Sequence, residues 1–168
     1  KLKPDGEPVK FKKCCLSKII FIGKMFGRIK FLEKLTNALG EDESIKSIHF
    51  KAVNPNVEEC EFLCQTISKN ENITCFGLSS NKFKNKNCEA ISNLLKQTKT
   101  IKHLNLEDNE ITAEGFGILS TGLAENKTVK KLYLGCNILT GQASRSITQS
   151  LILKNNLKEL HLNHCRID

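Results

Sequence analysis

The sequence lacks several features that would place it in a common functional class. Its 168 residues include no tryptophan, one tyrosine and one methionine. No stretch approaches the ~18 apolar residues that a membrane-spanning helix requires, and the densest apolar run is confined to 19–22. No C-x-x-C pair occurs, which excludes a zinc ribbon and a thioredoxin-type redox motif. The glycine-containing segment 23–30 lacks the spacing of a phosphate-binding P-loop.

The overall composition is that of a soluble globular domain. Hydrophobic residues make up 39% and charged residues 26% of the chain, so a continuous core is expected rather than a disordered tail. No apolar signal-peptide core follows the basic start. The eight cysteines have no paired spacing and fit free thiols in a reducing compartment. Together these features predict a cytoplasmic, intracellular protein.

Positive charge is concentrated at the start of the chain. The formal net charge is +8, and residues 1–34 hold ten Lys/Arg against three acids, a balance of +7. The remaining residues hold sixteen basic and fifteen acidic side chains, a balance of +1. Nucleic acid or a membrane surface is therefore not predicted as a partner, except through a basic N-terminal lead at 1–16. A solvated lysine-rich leader is the simpler interpretation of that segment.

A 28-residue repeat dominates the rest of the sequence. Five copies share three apolar positions, then an Asn or Cys and one more apolar residue, which gives the pattern L-x-x-L-x-L-x-x-N/C-x-L. The columns are Ile45, Ile73, Ile101, Val129 and Leu157; Ile48, Phe76, Leu104, Leu132 and Leu160; Phe50, Leu78, Leu106, Leu134 and Leu162; Val53, Asn81, Asn109, Asn137 and Cys165; and Phe83, Ile111, Leu139 and Ile167. Val53 is the departure from the Asn/Cys column, and with Pro55 it predicts an irregular loop.

The second half of each unit has helical periodicity. Apolar residues there recur at i, i+3 and i+7, which is the stripe of an amphipathic helix. The stripes contain Cys60, Leu63 and Ile67; Cys88, Ile91 and Leu95; Phe116, Leu119 and Leu123; and Ser144, Ile147 and Leu151. Leu32, Leu35 and Leu39 continue these columns one unit upstream, where Ile20 and Ile22 are assigned to the inward strand positions.

The alternation of these two halves predicts a solenoid. The L-x-L segment is a strand whose alternate residues point inward, and the Asn or Cys lies where the chain turns away and can hydrogen-bond loop backbone groups. Strands lie ~4.8 Å apart whereas packed helices need ~10 Å, so the stacked units must curve. We predict an α/β horseshoe arc with parallel strands on the concave face and helices on the convex face.

The repeat resembles that of leucine-rich repeat proteins, and its length is similar to that of the ribonuclease-inhibitor-like class. The resemblance covers roughly 17–168. It implies an array of about six 28-residue units, with a degenerate first unit and a truncated last one. A structural role is predicted for the Asn/Cys column, which contains Asn81, Asn109, Asn137 and Cys165. The resemblance is specific for the fold and says little about function, because the shared residues build the scaffold.

The residues between the core positions of each strand are predicted to line the concave face, where this family commonly binds protein partners. The predicted partner-binding residues are His49, Lys51, His103, Asn105, Glu107, Lys131, Tyr133, Glu159, His161 and Asn163. Ser47, Cys75, Gly77, Ser79 and Gly135 share that face. Tyr133 is a candidate hot spot because it is the only tyrosine of the chain. The alternative interpretation is an ordinary solvated strand surface.

Two combinations of cysteine and histidine suggest other chemistry but lack parts of a functional site. One set contains His161, His164, Cys165 and Cys136. It lacks the paired thiolates of a structural zinc site, so no metal and no cofactor is predicted. Cys75 and His103 hold the same position in adjacent units and suggest an activated thiolate. The sequence indicates no oxyanion hole or enclosed pocket to accompany them, and we therefore predict that the protein is not an enzyme.

These observations predict a non-enzymatic scaffold for protein–protein interaction. The concave face would hold a protein partner, with no small-molecule substrate, in a larger protein or assembly. One alternative is a regulator of a small GTPase, by analogy with the Ran GTPase-activating protein of the same class. Another is that the basic lead at 1–16 binds anionic lipid or nucleic acid.

Overall fold

Strands and helices alternate along the computed structural model, which describes residues 17–23, 28–41, 43–139 and 156–165 and the single positions 141, 145 and 149. The strands are β1 (Lys18–Ile22), β2 (Ser47–Lys51), β3 (Cys75–Gly77), β4 (His103–Asn105), β5 (Lys131–Tyr133) and β6 (Glu159–His161). The helices are α1 (Arg28–Glu41), α2 (Val57–Lys69), α3 (Asn85–Gln97) and α4 (Ala113–Glu125). Within this part of the chain, every helix is too short or too polar to cross a lipid bilayer.

The six strands form one parallel sheet in chain order from β1 to β6. From β2 onward each strand pairs with the next at an offset of 28 residues, as in the Cα pair of Leu104 and Leu132. The helices pack against one another in the same order, α1 to α4. Closely spaced strands joined to widely spaced helices curve the stack with the strands inside. The predicted α/β solenoid, with a concave strand face and a convex helical face, is confirmed.

The core consists of the inward strand columns and the helix stripes. Ile48, Phe76, Leu104 and Leu132 are at most 1% exposed. The helical residues Leu32, Leu39, Cys60, Leu63, Ile67, Cys88, Ile91, Leu95, Phe116, Leu119 and Leu123 are also buried. Each unit therefore buries its apolar face against its neighbours. The predicted stripe of Ser144, Ile147 and Leu151, with Ile167 and the lead at 1–16, lies outside the described residues.

The first strand is shifted by one residue relative to the predicted repeat. Ile19 and Phe21 pair with the inward residues of β2 and pack against the core. Ile20 and Ile22 lie on the opposite face and are 50% and 72% exposed, so their assignment to inward positions was wrong. A shift of one residue exchanges the two faces of a strand. Phe21 settles the register, because its ring stacks on Phe50 with centroids 4.9 Å apart.

The loop after β2 has the same left-handed positions as the loop after β3, although an irregular loop was predicted from Val53 and Pro55. Its backbone is left-handed at Ala52 and Asn54, with φ of 54° and 50°, and the residues 28 positions later, Ser80 and Lys82, have φ of 58° and 54°. The prediction was wrong because the buried Val53 needs only its backbone to keep this conformation. The Val53 N–H donates to the next unit's Asn at 2.9 Å.

Candidate protein-binding surface

Strand alternation and a fixed register build the concave face. In β4 and β5 the middle residue is buried and its two neighbours are half-buried. The register then aligns residues across strands in two rows. One row contains His103, Lys131 and Glu159, and the next contains Asn105, Tyr133 and His161. The sequence-predicted residues of the C-terminal units therefore lie side by side on one surface.

Four of these residues form a connected group, here called the Tyr133 cluster: Lys131, Tyr133, Glu159 and His161. The Tyr133 ring stacks on the His161 imidazole, with centroids 4.4 Å apart and planes at 18°. Lys131 Nζ lies 2.6 Å from Glu159 Oε1, and His161 Nε2 lies 3.7 Å from Glu159 Oε2. The Lys131–Glu159 hydrogen bond raises the pKa of Lys131 and lowers the pKa of Glu159. Because both groups remain accessible to water, the pair orients side chains more than it stabilises the fold.

Asn105 and Glu107 extend this surface toward the middle of the sheet. Asn105 Nδ2 donates to Glu107 Oε2 at 3.0 Å, and the Glu107 N–H donates to Asn105 Oδ1 at 2.9 Å. Asn105 is the register partner of Tyr133 on the adjacent strand. The carboxylate is thus held in one orientation beside the Tyr133 cluster.

His49 forms a separate group at the other end of the face. Its Nε2 lies 2.9 Å from Ser47 Oγ and 3.7 Å from Cys75 Sγ. The imidazole covers Gly77, where any Cβ would clash with it. Burial, and then the charge of Lys18, lower the pKa of His49, so the ring is neutral at pH 7.

Two expectations change at this end of the face. The predicted partner of Cys75 was His103, but Cys75 contacts His49 instead, because the missing side chain at Gly77 lets that ring lean toward it. The exposed Lys51 ends β2, two strands away from β4. The structure therefore divides the predicted set into the His49 group and a continuous C-terminal surface. Asn163, exposed, follows β6 and lies against Gly135 at the far end of that surface.

The Asn/Cys column lies beneath the loops at the ends of the strands and links neighbouring units. Asn109 Oδ1 accepts backbone N–H groups of the preceding loop at 3.0 Å, including that of Asn81. Asn81 accepts from the Val53 N–H in the same way, and Asn137 Nδ2 donates to backbone carbonyls of its own and the preceding unit. Cys165 Sγ donates to a carbonyl at 3.5 Å. The asparagines satisfy backbone groups that the turn would otherwise leave unpaired.

A second polar column, which the sequence analysis missed, joins each helix to the next strand. Asn70, Thr98 and Asn126 each accept the backbone N–H groups two and three residues further along the chain, at 2.8–3.4 Å. The buried Asn126 also donates to the Leu95 carbonyl at 2.7 Å. The available signal was the same 28-residue spacing, in the form [N/T]-x-[N/T]-[I/V]. These residues hold the turn that leads into the concave face.

In the described ranges, no three His, Cys, Asp or Glu side chains are grouped so that they could hold a metal ion. The cysteines described there, at positions 60, 64, 75, 88, 136 and 165, are free thiols. What the surface offers is an open strand face with one stacked aromatic pair and several fixed charges.

Comparison with known proteins supports the fold. Residues 98–116 and 154–168 match the family described as Leucine Rich repeat, and no curated protein matches the sequence significantly. The structure is similar to leiomodin-1 actin-binding site 2, with a TM-score of 0.68 and 23% identity over 79% of this chain and 77% of that one. It is also similar to the tropomodulin C-terminal domain of Caenorhabditis elegans, with a TM-score of 0.66 and 17% identity over 78% of this chain and 81% of that one.

At such identities the two likenesses establish the fold alone. They agree with the 28-residue register that the sheet keeps from β2 onward and with the family match, which includes β4 and Asn109. The repeat length is consistent with the ribonuclease-inhibitor-like class. The chain therefore has the leucine-rich repeat fold.

Proposed function

We propose that this chain is a non-enzymatic scaffold that binds a partner protein on its concave strand face. The observation that carries the proposal is the Tyr133 cluster. A half-buried tyrosine is stacked on an imidazole at 4.4 Å and flanked by a lysine–glutamate pair at 2.6 Å. Aromatic residues next to charges are typical of the residues that dominate protein interfaces.

The cluster is arranged before any partner binds. Stacking restricts both rings, and the Lys131–Glu159 contact restricts two long side chains that would otherwise sample many rotamers. A surface whose side chains are already ordered loses less conformational entropy on binding. An open face also suits a broad protein surface, whereas a small molecule is usually held in a concave pocket. The free cysteines support a reducing, cytoplasmic location for this activity.

Actin is the first partner to test. The leiomodin-1 domain to which the chain is similar is named as an actin-binding site. At 23% identity this likeness selects a candidate and does not identify the residues that would bind it.

Cosedimentation with filamentous actin, and affinity capture from lysate, test the proposal with the same set of variants. Tyr133→Ala should weaken binding by about 30-fold, as expected for a central aromatic residue. Glu107→Lys should weaken partner binding more than Tyr133→Ala does if Glu107 borders the same site. Asn93→Ala on the exposed surface of α3 is the matched control and should bind like the wild type. The concave face is the wrong site if every captured protein, including actin, binds the two concave-face variants normally.

The GTPase-regulator alternative rests on the protein class alone. Single-turnover GTP hydrolysis by a panel of small GTPases, with and without this chain, separates it from a scaffold. Deletion of residues 1–16 separates binding by the basic lead from binding by the concave face, since only the former should depend steeply on salt.

A further inference from the structure

A row of exposed lysines crosses the end of the sheet at which the strands begin. Lys102, Lys130 and Lys158 immediately precede β4, β5 and β6. Their backbones are joined directly, because the Lys130 N–H donates to the Lys102 carbonyl and the Lys158 N–H donates to the Lys130 carbonyl, both at 2.7 Å. Adjacent strands lie ~4.8 Å apart, so three positively charged residues stand side by side at the starts of three neighbouring strands.

Two further lysines widen this row. Lys99 and Lys127 are exposed in the turns just before it. In the two preceding units the same position holds Glu43 and Glu71, which are also exposed. At the position of Lys102 the β2 unit has the exposed Lys46 and the β3 unit has Thr74, so the basic strip is continuous only in the C-terminal units. We call it the lysine ridge, and it contains Lys99, Lys102, Lys127, Lys130 and Lys158.

The ridge has no evident role in holding the fold. Within the described ranges, none of its five ammonium groups lies within 4.0 Å of a carboxylate. Like charges on neighbouring strands repel and destabilise a sheet. The opposite edge of the β4 unit is acidic, with Glu107, Asp108 and Glu110. The small net charge of the repeat body thus conceals a separation of charge across the β4 unit, which orients an approaching charged partner.

We propose that the lysine ridge binds an acidic helix of a partner protein, at a surface separate from the concave-face site. An α-helix rises ~5.4 Å per turn, close to the ~4.8 Å between strands. A helix lying along the ridge can therefore place one carboxylate per turn opposite successive lysines. The small mismatch is absorbed by the flexible lysine stems.

The composition of the ridge favours this occupant over other polyanions. The other residues at these positions and in these turns include Lys46, Asn72, Thr74, Thr100, Thr128 and Asn156. They provide no aromatic ring for the base stacking that single-stranded nucleic acids use. The exposed large hydrophobics of the described residues, Ile20, Ile22 and Ile138, lie elsewhere, so the ridge has no apolar group to insert into a membrane.

The test uses the full chain and a synthetic acidic peptide of about 20 residues, long enough to form a helix. One peptide has glutamates once per turn on a single face, and a second peptide has the same composition distributed over all faces. The ridge variant is Lys102→Gln, Lys130→Gln and Lys158→Gln. The matched control is Lys34→Gln, Lys82→Gln and Lys86→Gln, three lysines that are exposed away from the ridge. Fluorescence anisotropy measures the Kd, and circular dichroism checks that each variant is folded.

We expect the wild type and the control to bind the one-faced peptide equally, and the ridge variant to bind it at least about tenfold more weakly. Tyr133→Ala should leave this binding unchanged, which separates it from the concave-face proposal. Equal binding by the ridge variant, or equal affinity for the two peptides, would overturn the assignment. So would a single-stranded oligonucleotide or an anionic vesicle that binds more tightly than the peptide and is lost in the same variant.

Discussion

Replacing Asn109 with alanine should lower the free energy of unfolding by about 4 kcal/mol. The side chain is 7% exposed, and its Oδ1 accepts the N–H groups of Asn81 and Phe83 at 3.0 Å. Alanine leaves both buried donors without an acceptor, and each such loss costs ~1–3 kcal/mol. The lost Nδ2 donation to the Leu78 carbonyl at 3.0 Å adds to this cost, whereas the Leu106 carbonyl still accepts from Asn137. A change of this size is a large part of a typical stability of ~5–15 kcal/mol.

The assay is urea denaturation followed by far-ultraviolet circular dichroism, because the chain has no tryptophan to report unfolding by fluorescence. The matched control is Asn93→Ala, the same substitution at an exposed helical position, which should change stability by no more than ~0.5 kcal/mol. Asn109→Cys should fall between the two. The thiol of Cys165 shows that a cysteine in this column donates one bond, but sulfur is a weak acceptor.

Free energies of unfolding of Asn109→Ala and Asn93→Ala that lie within about 1 kcal/mol of each other would contradict this prediction. That result would mean that water, or a rearranged loop, satisfies the two backbone donors as well as the amide does. Unequal slopes of the urea transitions would show instead that a subset of repeats unfolds separately.

Three further predictions follow from local geometry. Gly122→Ala should destabilise the protein by ~1–3 kcal/mol, because its Cβ would lie 2.6 Å from a backbone carbonyl of α3. Gly117→Ala places its Cβ in open space and should stabilise the protein by ~0.5–1 kcal/mol. Thermal denaturation measures both effects. Because the pKa of His49 is lowered in the folded protein, the unfolded chain binds a proton at this residue at a higher pH than the folded chain does. Stability should therefore fall as pH drops below ~6.5, with a shallower fall in His49→Gln. Iodoacetamide should alkylate the half-exposed Cys75 before Cys88, whose pKa burial raises to about 12, as peptide mass spectrometry would report.

Each of these has a clear contrary outcome. Equal melting temperatures for the two glycine variants would mean that α3 and α4 can separate without cost. An identical pH profile in His49→Gln would assign the acid sensitivity to other groups. Alkylation of Cys75 and Cys88 at the same rate would show that the helix containing Cys88 opens often enough to expose this thiol to the reagent as much as Cys75 is exposed.

Much of the fold could be predicted because its information is local and repeated. A core column such as Ile48, Phe76, Leu104 and Leu132 is apolar in every unit, and each member is buried. The prediction failed at β1, where the run IIFI offers apolar residues to both faces of a strand. Periodicity cannot select a face in such a run. The choice was made by packing, since Phe21 stacks on Phe50.

The candidate site was predicted only as a set of positions. Alternation indicated which residues share the concave face, but side-chain direction decides which of them touch. His49 reaches Cys75 because Gly77 leaves room for its ring, and this depends on a neighbouring strand. The assignment of the concave residues to partner binding stays a prediction, as does the division into about six units with a basic lead.

By itself, the sequence determined the period, the inward columns, the asparagine positions and hence the leucine-rich repeat fold, because each is set by residue type at a fixed spacing. The tertiary structure alone decided the register of β1, the contacts within the Tyr133 cluster and the alignment of the lysine ridge. These features depend on how residues 28 or 29 positions apart are stacked on neighbouring strands. Net charge and composition average over that stacking, and so they cannot show where like charges meet or which ring packs on which.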